Sequence, residues 1–232
     1  MTEDHIAAAR SNGRQTLTEA EGKQLLSTVG IDTPSFEVCA DADDAVEAAA
    51  EIGYPVVVKV STPEVTHKSE WADGAGVAVG LSSAEAVREA VEHVFDAAVE
   101  QGLDAAILVE AAADVDAGTE VIVGGLRDPS FGPVVLTGLG GVFTEVFGDT
   151  SHRIAPIDRV EARNAIEELA AVTLLTGHRG SQPADLDALA DVIAIVGDLV
   201  TEHAIAEIDV NPVLVSPDGA LALDALVVLE DD

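Results

Sequence analysis

Hydrophobic and polar positions along this chain follow the strand period in some stretches and the helix period in others, without strict alternation. After Pro55, Val56, Val58 and Val60 point to one face of a short strand, and Val57 and Lys59 to the other. Val77–Leu81 reads as its return strand, and Ala105–Glu110 as another short apolar strand. Ser35–Ala40 precedes them, and a helix over about Ala42–Ile52 ends at Gly53. Residues 111–118 read as a connector between two lobes. Beyond it, Glu120–Gly124, Pro133–Thr137, Phe143–Phe147 and His152–Ala155 read as strands, with a turn at Arg127-Asp128-Pro129. A long helix over about Asp185–His203 leads to two last strands, Ile205–Val210 and Leu221–Leu229, joined through Pro217-Asp218-Gly219.

Helix starts are marked by capping signals. Thr18 with Glu21 opens a helix to about Val29, and Gly30 stops it. Ser82 with Glu85 opens one to about Glu100, and Asp158 with Glu161 opens one toward Leu174. Residues 1–15 are polar and lack a clear period, which predicts a flexible N-terminus. The division expected is 16–113 for an N-terminal lobe and 114–232 for a C-terminal one. No Gly-x-Gly-x-x-Gly follows the first strand, so the pattern predicts α+β lobes and not a doubly wound dinucleotide fold.

Charge narrows the function classes. The net charge is −32, with 43 acidic against 11 basic residues spread along the whole chain. No basic stripe exists to release counterions from nucleic acid or to meet an anionic membrane surface. Many Asp, Glu, Ala and Val with almost no Lys resembles the proteins of salt-loving archaea, whose saline cytoplasm screens self-repulsion. Cys39 is the single cysteine, so an intrachain disulfide and a cysteine zinc site are excluded. Neither a signal peptide nor an apolar run of membrane-spanning length is present, so a soluble, cytoplasmic protein is expected.

Against that background, lysine placement is informative. The chain has only Lys23, Lys59 and Lys68. Lys59 lies inside a strand whose apolar run predicts burial, where a cation needs an anion. A nucleotide phosphate is the expected anion, although a lysine at a strand end also reaches solvent by itself. Gly74 and Gly76 lie downstream, in a loop whose backbone N–H groups would cradle phosphate; a hairpin turn is the simpler use of such glycines. Glu110 and Glu120 flank the small-residue connector. In 207–211 the odd positions, Glu207, Asp209 and Asn211, share one face and offer oxygen ligands, with Asp224 among apolar neighbours on the partner strand. Oxygen ligands of that kind suit Mg²⁺ with substrate phosphates. His67, in Thr-His-Lys-Ser, has a nucleophilic imidazole beside the expected phosphate site. A serine hydrolase is excluded by the absence of Gly-x-Ser-x-Gly.

Several motifs recur together. They are Gly-Tyr-Pro-Val-Val-Val-Lys (53–59), Thr-His-Lys-Ser (66–69), Arg-Asp-Pro-Ser-Phe-Gly-Pro-Val-Val (127–135), Gly-Leu-Gly-Gly (138–141), Arg-Ile-Ala-Pro (153–156), His-Arg-Gly (178–180) and Glu-Ile-Asp-Val-Asn-Pro (207–212). In this order they resemble the ATP-grasp β subunit of ADP-forming acetyl-CoA synthetases, relatives of succinyl-CoA synthetase. The resemblance covers about residues 16–229. It implies an ATP-grasp fold of two lobes gripping ATP or ADP, with Lys59 on the α/β-phosphates. It implies that the backbone from Glu110 to Ala113 meets adenine and that Glu120 meets ribose. It also implies Mg²⁺ on Asn211 and Asp224, with Asp209 close by, and His67 as a phosphoryl relay. A CoA-binding α subunit would supply the acyl-CoA site and the first phosphohistidine, in a likeness of the family's paired α and β heterotetramers. The chain departs from the family at Ala78, where a lysine is common, in the Glu70–Gly76 loop with Trp71, and in its alanine-rich hinge. A stand-alone carboxylate ligase and a nucleotide-binding regulatory subunit remain as alternatives.

Overall fold

The computed structural model describes residues 2–65, 68, 70–141, 148–177 and 182–231. His67, the strand expected at Phe143–Phe147 and the His-Arg-Gly motif at 178–180 lie outside the described residues. The chain forms two compact units: residues 18–21 with 34–113, and residues 1–17, 22–33 and 114–232.

The unit containing residues 34–113 is an antiparallel four-stranded sheet. Its strands are β1 (Phe36–Cys39), β2 (Val56–Ser61), β3 (Val77–Leu81) and β4 (Ala106–Ala111), in the order β1-β4-β2-β3. Helices α3 (Ala42–Ile52) and α4 (Ala84–Gln101) bury their apolar stripes on one face. On α4 the stripe is Val87, Val91, Val94 and Ala98, at helical spacing. On α3 it is Ala45, Ala48 and Ala49, whose small side chains let the helix lie close. Between them they cover Val56, Val58 and Val60 of β2, and Ile107 and Val109 of β4. Val57 pairs with Glu110 and Lys59 with Leu108 across β2 and β4, so these four share the opposite face.

The larger unit holds, among the described residues, a six-stranded antiparallel sheet. Strands β5 (Thr119–Asp128), β6 (Gly132–Leu139), β7 (Thr150–Ile154), β8 (Ile205–Ser216) and β10 (Leu226–Leu229) run in the order β10-β8-β5-β6-β7, and β9 (Gly219–Ala222) pairs with β8. Helix α6 (Leu186–Glu202) lays Leu189, Ile193, Val196 and Val200 on this sheet. Gly125 of β5 gives it room: a Cβ there would lie 2.8 Å from Val200 Cγ1 and 3.0 Å from Val196 Cγ1. The expected turn after Arg127 is present. Asp128 Oδ1 accepts from Ser130 N at 2.7 Å and Phe131 N at 2.9 Å, and Arg127 donates to the carbonyls of Thr201 and His203 at the end of α6.

Several expectations need correction. The N-terminus is not a loose segment: α1 (Thr2–Ser11) buries Ile6 and Ala9 in the larger core, and Arg10 donates to Glu230 O at 3.0 Å. Residues 22–33 group with the larger unit and not with residues 34–113. The body of α2 (Glu19–Thr28) packs there because Gly22 presses on Ala225, and Leu25, Leu26 and Ile31 enter the same core. The helix expected from Asp158 to Leu174 ends at Glu167 as α5 (Arg159–Glu167), followed by a 3₁₀ turn at Val172–Leu174. Asp149 accepts from the N–H groups of Ala170 and Ala171, which takes those donors from a continuing helix. Finally, the strand expected over Leu221–Leu229 breaks between β9 and β10, and Asp224 sits in the break. No helix among the described residues is long and apolar enough to cross a membrane.

Candidate functional site

Every residue of β2 is buried, Lys59 included, at 8% exposure. The anions beside it in this structure are carboxylates. Lys59 Nζ lies 2.7 Å from Glu19 Oε1 and 2.8 Å from Glu110 Oε1. The other Glu19 oxygen, Oε2, lies 3.1 Å from Lys68 Nζ, and the Glu19 side chain is 1% exposed. Among the described residues, two ammonium groups and two carboxylates therefore meet in one buried cluster on the face of the sheet turned from α3 and α4. Removing one partner of such a buried pair costs about 3–5 kcal/mol, because the other charge is left behind.

Glu19 reaches this cluster from the first turn of α2, whose start is fixed by a reciprocal capping box. Thr18 N donates to Glu21 Oε2 at 2.8 Å, and Glu21 N donates to Thr18 Oγ1 at 3.3 Å. Glu110 arrives from the end of β4, two residues beyond Leu108, the partner of Lys59, and so diagonal to Lys59 on the same face. Its carboxylate thus serves Lys59 in this structure. Ala113 lies just past β4 in the link and is half-buried.

The loop from Thr62 to Gly76 returns to β2 through Gly76, whose carbonyl accepts from Val60 N at 2.8 Å. A Cβ on Gly76 would fall well inside contact distance of the Lys68 carbonyl. The backbone of Lys68 is thus seated on Gly76 while its ammonium is held by Glu19. Gly74 has φ +94°, after two non-glycine residues, Ala72 and Asp73, also at positive φ. Gly76 therefore has a packing reason of its own, apart from any phosphate cradle.

In the larger unit, β8 presents Glu207, Asp209 and Asn211 alternating with the buried Ile208 and Val210. Asn211 and Glu207 are exposed and Asp209 half-buried. Asp209 pairs with Leu226 of β10, and Val213 with Ala222 of β9. Both pairings keep the same register across the break, and Leu223 N donates to Pro212 O at 2.9 Å. Extended by that register, Asp224 stands opposite Asn211. Its Oδ1 accepts from Ala225 N at 2.8 Å, and the residue is half-buried. Among the described residues no group of three or more His, Cys, Asp or Glu is arranged to hold a metal. An amide and one or two carboxylates at a half-exposed strand break do suit a cation that takes its remaining oxygens from phosphates and water.

Glu120 is exposed on β5, opposite Leu214, and its carbonyl accepts from Gly140 N at 2.8 Å. A Cβ on Gly140 would lie 3.1 Å from that carbonyl oxygen, which gives the Gly-Leu-Gly-Gly motif a steric reason. In the same unit, a cavity of about 320 Å³ is bounded by Asp116, Thr119, Gln182 and Val215 and contains none of the expected site residues.

The structure thus joins Lys59 to Glu110, and Asn211 to Asp224 by register. Sequence reasoning missed Glu19. An acidic residue in a first helical turn is ordinary, and its link to Lys59 spans 40 residues of chain. The signal that pointed toward the cluster was the scarcity of lysine.

Comparison with known proteins fits this architecture. The family model described as ATP-grasp domain matches residues 8–229. The β subunit of Pyrococcus furiosus acetate–CoA ligase [ADP-forming] I is 41% identical over 226 residues, covering 97% of this chain and 96% of that one. A structure of the Ca. Korarchaeum cryptofilum dinucleotide-forming acetyl-coenzyme A synthetase 1, solved with coenzyme A, Ca-AMPCP and HgCl⁺, superposes with a TM-score of 0.93 at 40% identity, covering 99% of this chain and 100% of that one. The same synthetase with coenzyme A and Mg-AMPPCP, its phosphohistidine segment pointing towards the nucleotide binding site, gives a TM-score of 0.85 at 40% identity, with the same coverage. The chain belongs to the ATP-grasp family and, within it, to the β subunits of ADP-forming acetyl-CoA synthetases.

Proposed function

We propose that the chain is the nucleotide-handling β subunit of an ADP-forming acyl-CoA synthetase, working with a CoA-binding α subunit in the cytoplasm. The reaction is acyl-CoA + ADP + phosphate ⇌ acid + CoA + ATP. The observation that carries this reading is the end-to-end likeness to a β subunit, at 97% and 96% coverage.

In this reading Lys59 binds the α/β-phosphates, as a compact point charge suited to phosphate oxygens. Gly74 and Gly76 shape the loop beside it, and the backbone from Glu110 to Ala113 takes the adenine edge. Glu120, exposed on β5, accepts from the ribose hydroxyls. Asn211, Asp224 and Asp209 supply oxygen ligands for Mg²⁺. Bound Mg²⁺ neutralises phosphate charge during transfer. His67 receives the phosphoryl group from the α subunit's histidine and passes it to ADP. Imidazole suits this because it is a good nucleophile when neutral. The ADP β-phosphate oxygen attacks phosphorus, the P–N bond breaks and the electron pair returns to the imidazole.

The test combines the chain with its CoA-binding partner in high salt and measures ATP formed from acetyl-CoA, ADP and phosphate. Both chains are required for turnover. ATP formation by this chain alone would overturn the half-enzyme assignment. Retained MgADP binding with no turnover in the complete pair would make the chain a regulatory subunit. His67→Asn abolishes turnover and leaves MgADP binding within about twofold, because a relay residue contributes to transfer and not to ground-state binding.

A further inference from the structure

We propose that Glu19 occupies, in the nucleotide-free protein, the place of a nucleotide phosphate between two lysines, and that Lys68 is a second phosphate-binding cation beside Lys59. This rests on the nucleotide-binding reading above and adds two residues to it.

Among the described residues Lys59 has Glu110 at 2.8 Å, and Glu19 bridges both lysines, one oxygen to each, at 2.7 Å and 3.1 Å. One anion whose separate oxygens bind two ammonium groups is the arrangement a phosphate adopts between two lysines. Two of the three lysines in a chain of net charge −32 converge there. Lys68 is also fixed from behind, its carbonyl seated on the position where Gly76 has no side chain.

The energetics permit exchange. Lysines stripped of their counter-charge in a buried site are costly, so they leave Glu19 only for another anion. A nucleotide phosphate carries more charge than a carboxylate and offers more acceptor oxygens. Glu19, left without the lysines, keeps only the weaker favour of the helix N-terminus of α2, so its release opposes nucleotide binding. Glu19 is therefore a competitor of the ligand, and it sets how tightly nucleotide binds.

Two measurements test this on the full chain with MgADP as the probe. Removing the competing charge by Glu19→Gln lowers the nucleotide-free Tm and tightens MgADP binding about tenfold, while Lys68→Met weakens it about tenfold. Equal or weaker binding by a folded Glu19→Gln protein overturns the proposal, since a purely structural clamp predicts that result. The second measurement needs no variant of Glu19. With only three lysines in the chain, ¹⁵Nζ-lysine NMR of the wild-type protein has three side-chain signals, assigned by single Lys→Met replacements. MgADP shifts the Lys59 and Lys68 signals together. If MgADP binds and the Lys59 signal alone moves, the nucleotide reading stands and this inference is wrong. If MgADP fails to bind the wild-type chain, the nucleotide reading is wrong and the inference falls with it.

Discussion

Asp224 and Asn211 show how a backbone irregularity brings two oxygen-bearing side chains opposite one another. Had Leu221–Leu229 formed one continuous strand, Asp224 would be one more rung of an apolar ladder. The break frees its neighbourhood for polar atoms while the register on both flanks keeps it opposite Asn211. In the proposed role, Asp224→Asn keeps the shape and removes one charge. Its Mg²⁺ requirement for MgADP binding rises by about tenfold or more, with Tm nearly unchanged. A titration of Mg²⁺ at fixed ADP measures this, and an unchanged midpoint would remove Asp224 from the metal site. Cys39 behaves differently, as a buried thiol outside the chemistry. Burial first, then the charges of Glu37, Asp44 and Asp41, pushes its pKa up to about 11. The thiol therefore stays protonated until the pH approaches that value, and at pH 8 only about one in a thousand is thiolate. Iodoacetamide at pH 8 should leave the native chain unlabelled and label the denatured chain at the ordinary rate. Rapid native labelling, read by mass spectrometry, would show β1 opening.

At the scale of elements, much of the secondary structure was legible because its signals are local. Thr18 and Glu21 form the capping box their spacing announces, and Asp158 caps α5 by accepting from Glu161 N. The alternation 56–60 correctly separated the helix-facing valines from Lys59. Where tertiary contacts decide, local signals failed. α1 has only Ile6 and Ala9 buried, too faint a stripe to separate from a polar tail. The carboxylates around Lys59 come from α2 and β4, and no local pattern brings Glu19 to Lys59 across 40 residues. One cap lies a residue later than the spacing predicts: α4 starts from Ser83, whose Oγ accepts from Ala86 N at 3.2 Å, and not from Ser82. This gives a clean comparison. Ser83→Ala costs about 1 kcal/mol of stability, and Ser82→Ala is close to neutral. Denaturant unfolding with the reverse order of effects would return the cap to Ser82.

On the scale of the whole molecule, charge is sorted by residue type. All three lysines are buried, at 0%, 8% and 8% exposure, while the arginines that form described ion pairs are partly exposed. The surface is therefore dominated by carboxylates that repel one another, with Arg153, Arg159 and Arg163 pinning only the α5 region. Self-repulsion among exposed charges is long-ranged at low salt and nearly gone once the screening length shrinks to about 3 Å at 1 M. The buried lysine cluster responds far less, because buried pairs are screened much less than exposed ones. Salt should therefore stabilise this chain by weakening surface repulsion while leaving the interior pairs intact. Raising KCl from 0.1 to 1 M is expected to add roughly 2 kcal/mol, which for a chain of this size is about 4–8 °C in Tm, with little further gain above that concentration. The two units have separate apolar cores, so calorimetry is the suitable measurement, and any resolved transitions should both move upward. Glu19→Gln should displace the whole curve downward without changing its dependence on KCl. A flat or falling Tm between 0.1 and 1 M would mean that surface repulsion is not the term limiting stability, and that the acidic excess is offset locally by pairs of the Arg159–Asp191 kind.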